Sequence, residues 1–265
     1  MDASFWIKLL LSFAVGSLWV TLTTVSAERF GSKVGGLIGG MPSTVVIALL
    51  FIGLTQSPEI AAQATTIMPL AQGLNGLFVI AFMLFIPYGL PAAAGSSLFV
   101  WLVNSALLYL VGVSHFWVSI AGWLILLFFC YWVVEKRMKI ASQGGVKVSY
   151  HPMQLVWRAL FGGTVIALAV LAARLGGPAL GGIFSSFPAM FLSTLVISHK
   201  IGGVSFSRSV GKSILISGLI NVPLYEIAVR YLYPTVGLGL GTALALIFSM
   251  FTGYLTYRFM KSKLR

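Results

Sequence analysis

The sequence predicts an all-α, polytopic membrane protein of about nine transmembrane helices, arranged as two inverted-topology four-helix repeats joined by a linker helix. Three observations predict this fold: the composition, the placement of the basic residues and an internal repeat. Of the 265 residues, 58% are hydrophobic and only 8% are charged, which is more apolar surface than a water-soluble chain can cover. We therefore expect the protein to be surrounded by a lipid bilayer.

Apolar stretches separated by turn signals predict the transmembrane helices. Each stretch is close to the length of about 20 residues that a helix needs to cross the hydrocarbon core. Turn signals such as Gly176-Gly177-Pro178 separate them. We expect residues 1–114 to form the first four-helix repeat, residues 115–152 a linker transmembrane helix with a basic cytoplasmic loop, and residues 153–265 the second repeat. The stretches are Phe5–Ala27, Gly36–Leu54, Glu59–Ile86, Ala92–Val113, Phe116–Val134, Met153–Arg174, Leu180–Ser198, Ser207–Tyr231 and Val236–Phe259.

The basic residues predict the orientation of the chain. The 17 Lys and Arg give a net charge of +12, but they lie in short loops and form no basic helical face, so nucleic acid is not an expected partner. If the N-terminus is outside the cell, only Lys8, Arg174 and Arg230 of these 17 residues remain outside. The positive-inside rule therefore predicts an outer N-terminus and a cytoplasmic C-terminus in the inner (plasma) membrane.

An internal repeat relates the two halves of the chain. The segment Gly35–Ser43 lines up with Gly181–Ala189 at an offset of 146 residues, and both segments contain paired small residues followed by a proline. Without a further gap, Asn75 falls on Asn221. A duplication of this kind predicts two units of similar fold.

The linker helix determines how the two units are oriented. Upstream of the Gly/Pro segments, the alignment of the two halves needs a shift of four residues, after which Lys8 falls on Arg158. The duplication therefore covers four helices in each half. The single helix Phe116–Val134 between the halves forces the second unit to enter the membrane from the opposite side. Inverted repeats of this kind are typical of secondary transporters, because two similar halves can open a shared site to either side.

A Gly/Pro motif in each half marks the candidate site. Proline inside a helix removes a backbone hydrogen bond, and such a break is tolerated at membrane depth only where protein or a wet cavity satisfies the freed groups. The motif therefore indicates either a solute site near the midplane or tight helix packing. Its candidate solute-binding residues are Gly39, Gly40, Pro42, Ser43 and Thr44 in the first repeat and Ser185, Ser186 and Pro188 in the second.

Polar residues inside the predicted helices extend this candidate site. A stripe at four-residue spacing runs along the eighth helix and consists of Ser205, Ser209, Ser213, Ser217 and Asn221. Asparagine in a lipid-spanning helix needs a hydrogen-bond partner. We expect Asn75, Ser217 and Asn221 to line the solute site; the alternative is that the asparagines are interhelical staples worth about 1 kcal/mol each.

Glu226 is the acidic residue that lies farthest from helix ends and loops, and it is our candidate for coupling transport to an ion. Arg230 follows four residues later, so an ion pair between the two is the alternative.

The sequence has no features of an enzyme. No two of its histidines have metal-ligand spacing, and its single cysteine, Cys130, lies in an apolar stretch. We expect no catalytic residues, no metal and no cofactor.

The motif segments Leu37–Thr44 and Ile183–Met190, with the helices that follow them, resemble the GlpM-type family of small four-helix bacterial inner-membrane proteins of uncertain function. The chain departs from that family's single unit, since it carries two units and an extra helix. Neither half contains the family's complete Phe-Pro-Thr motif. The resemblance implies a fused duplicate and supplies no substrate.

Together these observations predict a secondary transporter that moves a small solute, with or without a coupling cation, by alternating access around a midplane site of broken helices. The alternatives are a channel and a non-transporting scaffold subunit of an envelope or lipid pathway. A homodimer is compatible with both the transporter and the channel.

Overall fold

In the computed structural model, residues 2–29, 42–140 and 151–263 are described, and their regular structure is entirely helical, as predicted. A short 3-10 turn, Ile86–Tyr88, follows the fourth helix and a π-helical turn, Val133–Arg137, follows the sixth. The helices are α1 Ala3–Arg29, α2 Ser43–Thr55, α3 Pro58–Ala64, α4 Met68–Phe85, α5 Leu90–Val111, α6 Phe116–Trp132, α7 Pro152–Ser185, α8 Ala189–Val236 and α9 Leu238–Lys263.

The helices have the length and the surface of a multi-pass membrane protein. Side chains such as Leu110, Trp117 and Phe128 are exposed by 79%, 72% and 68%, an arrangement that suits lipid and not water. Within the described residues, six segments are long and apolar enough to cross a membrane. They are Ala3–Ser26, Met68–Tyr88, Leu90–Val111, Phe116–Arg137, Pro152–Val236 and Leu238–Thr256.

The segment Pro152–Val236 is 85 residues long, far more than one crossing requires, and it is divided at three points. Gly177 bends α7 with φ 79°, and Gly203 bends α8 with φ 69°. Glycine alone adopts such φ values without strain, because a Cβ atom would collide with the backbone. Between these bends, the chain leaves the helix at Ser186 and resumes it at Ala189. The interruption predicted beside Pro188 is therefore present.

Pro42 and Pro188 stand in the same local conformation. Each is the residue before the first turn of a helix, with φ −74° and ψ 57° at Pro42 and φ −81° and ψ 46° at Pro188. Neither helix start has a side chain that caps its backbone N–H groups. The two halves therefore share one backbone feature at equivalent positions.

α1 and α7 pack against each other in antiparallel fashion through glycine. Gly162 lies against the side chain of Val20, and Gly16 lies so close to Ile166 that an added Cβ would be 2.6 Å from its Cδ1 atom. Small residues at such an interface let two helix backbones approach closely, which is how helices associate in lipid. Position 16 corresponds to position 166 under the shifted alignment that places Lys8 on Arg158.

The helical pair α3–α4 packs in antiparallel fashion against the long part of α8. Arg230 Nη1 donates hydrogen bonds to the Ala62 carbonyl oxygen at 3.4 Å and to Thr66 Oγ1 at 2.9 Å. At the other end, Arg208 Nε donates to the Met83 carbonyl oxygen at 2.8 Å. The early residues of one segment therefore meet the late residues of the other.

Candidate functional site

A small cavity lies where the two proline-led helices meet α4 and α8. Its volume is about 30 Å³, which is room for about two water molecules. Both halves of the chain contribute to it, and none of its lining residues carries a charge. The lining residues are Pro42, Ser43, Thr44, Val45, Gln72, Asn75, Ser185, Ser186, Phe187, Pro188, Met190, Phe191 and Val222.

Asn75 joins the two halves at this cavity. Its Nδ2 atom donates to the backbone carbonyl oxygen of Ser186 at 2.6 Å and to Oε1 of Gln72 at 3.0 Å. Asn75 is 2% exposed, so these bonds are shielded from competing solvent. The side chain holds the open end of α7, where the helix stops before Pro188.

The starts of α2 and α8 both face the cavity. Pro42, Ser43, Thr44 and Val45 line it from the first half, and Pro188, Met190 and Phe191 line it from the second. Under the 146-residue offset, the lining residues of the first helix start are the counterparts of those of the second. The exception is Ser43, because its counterpart Ala189 is buried beside the cavity and does not line it. The chemistry differs between the two helix starts: Ser43 and Thr44 bring hydroxyl groups at the first, whereas Met190 and Phe191 bring apolar side chains at the second.

Hydroxyl groups at the cavity fall into two kinds. Ser185 Oγ donates to the carbonyl oxygen of Gly181 at 2.7 Å, and Ser186 Oγ donates to that of Gly182 at 3.0 Å. Ser43 and Thr44 are 9% and 7% exposed, and their hydroxyl groups make no hydrogen bond to the described residues. Among the described residues nothing occupies those two hydroxyl groups, so they can bind a ligand in the cavity.

Gln72 belongs to this site although the sequence did not single it out. It is 3% exposed, lines the cavity, accepts the bond from Asn75 and donates from Nε2 to the Gly218 carbonyl oxygen at 3.5 Å. Position 218 is the counterpart of position 72 in the repeat. The available signal was the three-residue spacing between Gln72 and Asn75, which places both amides on one face of α4.

Aromatic rings pack against Phe187 in the apolar wall of the cavity. The ring of Phe187 lies edge-to-face with Trp101 at a centroid distance of 4.6 Å and with Phe161 at 5.9 Å. Such pairs are worth roughly 0.5–1.5 kcal/mol beyond the area they bury. The break before Pro188 is thus anchored from α5 and from α7.

A family model matches the chain twice. The family is described as protein of unknown function (DUF3147), and its model matches residues 9–114 and again residues 155–261. The chain belongs to the DUF3147 family. The two matches enclose most of both predicted repeats, and α6 lies between them, so this DUF3147 protein forms its cavity from one matched unit and the other. No curated protein and no solved structure matches it.

Asn221 and Ser217 lie outside this cavity. Asn221 is 2% exposed and faces α9, where its Oδ1 atom accepts from Thr256 Oγ1 at 3.3 Å and its carbonyl oxygen accepts from Ser249 Oγ at 3.5 Å. Ser217 Oγ donates to the Ile214 carbonyl oxygen within its own helix. The contacts of Asn221 with α9 fit the alternative of an interhelical staple, and its part in binding a solute stays a prediction.

Glu226 is completely buried in α8. Neither of its carboxyl oxygens has a hydrogen-bond partner among the described residues. Arg230 does not pair with it, since its guanidinium bonds Ala62 and Thr66 and lies 4.3 Å from the centroid of the Phe116 ring. Glu226 lies four residues after Val222, which lines the cavity, so one helical turn of about 6 Å separates them.

Two predicted residues, Gly39 and Gly40, lie outside the described residues. Within the ranges that are described, no group of three or more His, Cys, Asp or Glu side chains is placed to hold a metal ion.

Proposed function

We propose that this protein is a secondary transporter that moves a small solute across the inner (plasma) membrane by alternating access around the cavity between its two proline-led helices. The observation that carries the proposal is the position of Gln72, which lines the cavity and contacts its own repeat counterpart, Gly218. A site on the symmetry axis between two similar halves can be opened to one side of the membrane by one half and to the other side by the other half.

The proposal requires that the two repeats are inverted, and the packing of α3–α4 against α8 supports this. Two units related by a two-fold axis bring equivalent residues together only where their helices cross that axis. Gln72 and Gly218 meet in this way, while Arg230 contacts Ala62 on one side of them and Arg208 contacts Met83 on the other. When two equivalent helices cross in antiparallel directions, the two-fold axis that relates them is perpendicular to both helices. For helices that span the membrane, this axis lies in the membrane plane.

The packing of α1 against α7 is a second and independent support. Gly16 contacts Ile166, its counterpart under the shifted alignment, and these helices are antiparallel as well. Parallel repeats would instead align equivalent helices in one direction. We therefore propose nine spans with an outer N-terminus and a cytoplasmic C-terminus. Reporter tags at both ends test this, and tags found in one compartment would contradict it.

Glu226 is our proposed ion-coupling residue. A buried carboxylate without a partner is costly in a membrane, whereas the protonated acid is not, so a cycle that exposes Glu226 on either side could carry a proton with each solute. We also propose a kinship with the GlpM-type family, in which a single four-helix unit is the ancestor of each half.

Counterflow in proteoliposomes tests the transport proposal. We expect solute preloaded inside the vesicles to stimulate uptake of labelled solute, because a carrier must return its site across the membrane and a channel need not. Gln72→Leu should abolish this exchange, and Gln63→Leu, at an exposed position of α3, is the matched control. Uptake without trans-stimulation would indicate a channel, and absence of uptake by the wild-type protein would favour a scaffold. Exchange retained in Gln72→Leu would remove this residue from the mechanism.

A further inference from the structure

We propose that the cavity between α2 and α8 is a binding site for a small anion of about halide size. This inference rests on the proposed transport function and names its substrate class. It is drawn from the two helix starts, the free hydroxyl groups, and the way the opposite helix end is covered.

Two helix N-termini point into the cavity from opposite halves of the chain. The first turn of a helix carries a partial positive charge of about half an elementary charge, because its backbone N–H groups have no helical partner. α2 and the first part of α8 are both longer than eight residues and both begin at lining residues. Together they present roughly one positive charge to a space that holds no acidic side chain.

Within the part of the chain that the structure describes, no side chain caps these N–H groups. Both helices begin after a proline, which supplies no capping oxygen, and neither start has a side-chain cap. Val46 N bonds the Pro42 carbonyl and Leu192 N bonds the Pro188 carbonyl, and these are the first helical bonds of α2 and α8 among the described residues. Within the described residues, the N–H groups of Thr44, Val45 and Met190 have no acceptor. Uncapped helix starts of this kind bind anions.

Free side-chain donors stand beside the same helix start. Ser43 and Thr44 are more than nine-tenths buried, line the cavity, and have hydroxyl groups without a partner among the described residues. A hydroxyl group that borders a cavity and has no protein partner can bond a ligand or water held there. These two donors point to a ligand independently of the helix dipoles.

Hydrogen-bond donors cover several carbonyl groups at the end of the neighbouring half-helix, which weakens the opposing charge. α7 ends at Ser185, and its last carbonyl groups would repel an anion. Asn75 donates to the Ser186 carbonyl, and the hydroxyl groups of Ser185 and Ser186 donate to the carbonyls of Gly181 and Gly182. These bonds reduce the repulsion that the end of α7 would exert on an anion in the cavity.

The size of the cavity limits the anion. A volume of about 30 Å³ holds a monatomic ion or an ion of three to four atoms. The apolar wall of Met190, Phe191 and Val222 favours a weakly hydrated ion over a strongly hydrated one.

Thermal unfolding of the full chain in detergent tests binding. Sodium fluoride, chloride, bromide and nitrate are titrated against sodium gluconate at constant ionic strength. We expect at least one of the four small anions to raise the midpoint saturably, and Thr44→Val to weaken its apparent affinity by about tenfold or more, since one hydrogen bond to a charged ligand is lost. Thr55→Val, on the same helix but bonded to Phe51, is the matched control and should not change affinity.

Equal midpoints in all five salts, or equal affinity in wild type and Thr44→Val, would overturn the inference. If Thr44→Val does not fold, Ser43→Ala takes its place with the same expectation. Anion efflux from proteoliposomes separates this inference from the transport proposal. Saturable binding that Thr44→Val weakens, without any flux, overturns transport and leaves the anion site standing. Flux of a neutral solute without small-anion binding overturns the anion site and leaves transport standing.

Discussion

The amide of Asn75 donates a hydrogen bond of 2.6 Å to the backbone carbonyl oxygen of Ser186, so a side chain from the first half of the protein closes the helix break of the second. Ser186 is 3% exposed, and its carbonyl is released by the break before Pro188. In a bilayer such a group must be satisfied within the protein. The pair therefore couples the position of α4 to the shape of the cavity.

Replacing Asn75 by leucine removes the donor and leaves the Ser186 carbonyl buried. We expect Asn75→Leu to lower the free energy of unfolding by about 1–3 kcal/mol and to abolish solute uptake, while membrane insertion is unchanged. Denaturant unfolding in detergent measures the first effect, and uptake into proteoliposomes measures the second.

Asn104→Leu is the matched control, because Asn104 is half-buried on α5 outside the cavity. It should keep both stability and uptake. Normal uptake by Asn75→Leu would remove this pair from the mechanism, even if stability fell.

Gly163 permits the close approach of α7 to α1. A Cβ atom at position 163 would lie 2.7 Å from the Phe13 carbonyl oxygen and would also collide with Ser17. We expect Gly163→Ala to cost about 1–3 kcal/mol of unfolding free energy, since backbone atoms cannot move aside as a side chain can. Gly95→Ala is the control, because nothing lies within 4 Å of that position. An equal loss in both variants would show that the effect is not steric.

The broken helix before Pro188 was predictable from sequence because a proline cannot donate the backbone bond that a helix interior needs. Asn75 and Asn221 occupy equivalent positions, yet only Asn75 lines the cavity. The repeat relates positions within each half and says nothing of the other helices that surround them. Thr256 of α9 bonds Asn221, whereas Asn75 bonds Ser186 and Gln72. The choice between solute site and staple therefore depends on tertiary neighbours that no local pattern encodes.

Lys212 and Glu135 form an ion pair of 2.8 Å between α8 and the π-helical turn, with side-chain exposures of 6% and 22%. Lys212 also donates to the Ile140 carbonyl oxygen at 3.0 Å. We expect Glu135→Gln to cost about 3 kcal/mol of unfolding free energy, because it leaves a buried ammonium group without its counter-charge. Denaturant unfolding in detergent measures the change.

The double variant Glu135→Gln with Lys212→Met controls for that result. Removing both charges together should restore most of the lost stability, since an apolar replacement of a buried pair is often neutral. A double variant as unstable as the single one would mean that the carboxylate does more than neutralise Lys212.

Substitution of Glu226 separates proton coupling from solute exchange. Glu226→Gln keeps the size and polarity of the side chain but cannot gain or lose a proton. If Glu226 carries the proton, the variant should lose accumulation driven by a pH gradient yet retain solute counterflow, because exchange needs only the loaded carrier. Glu59→Gln, at an exposed carboxyl group, should keep both activities. If Glu226→Gln still accumulates solute in response to a pH gradient, this residue is excluded from coupling. If the variant loses counterflow as well as accumulation, Glu226 acts in solute binding or in the conformational change itself.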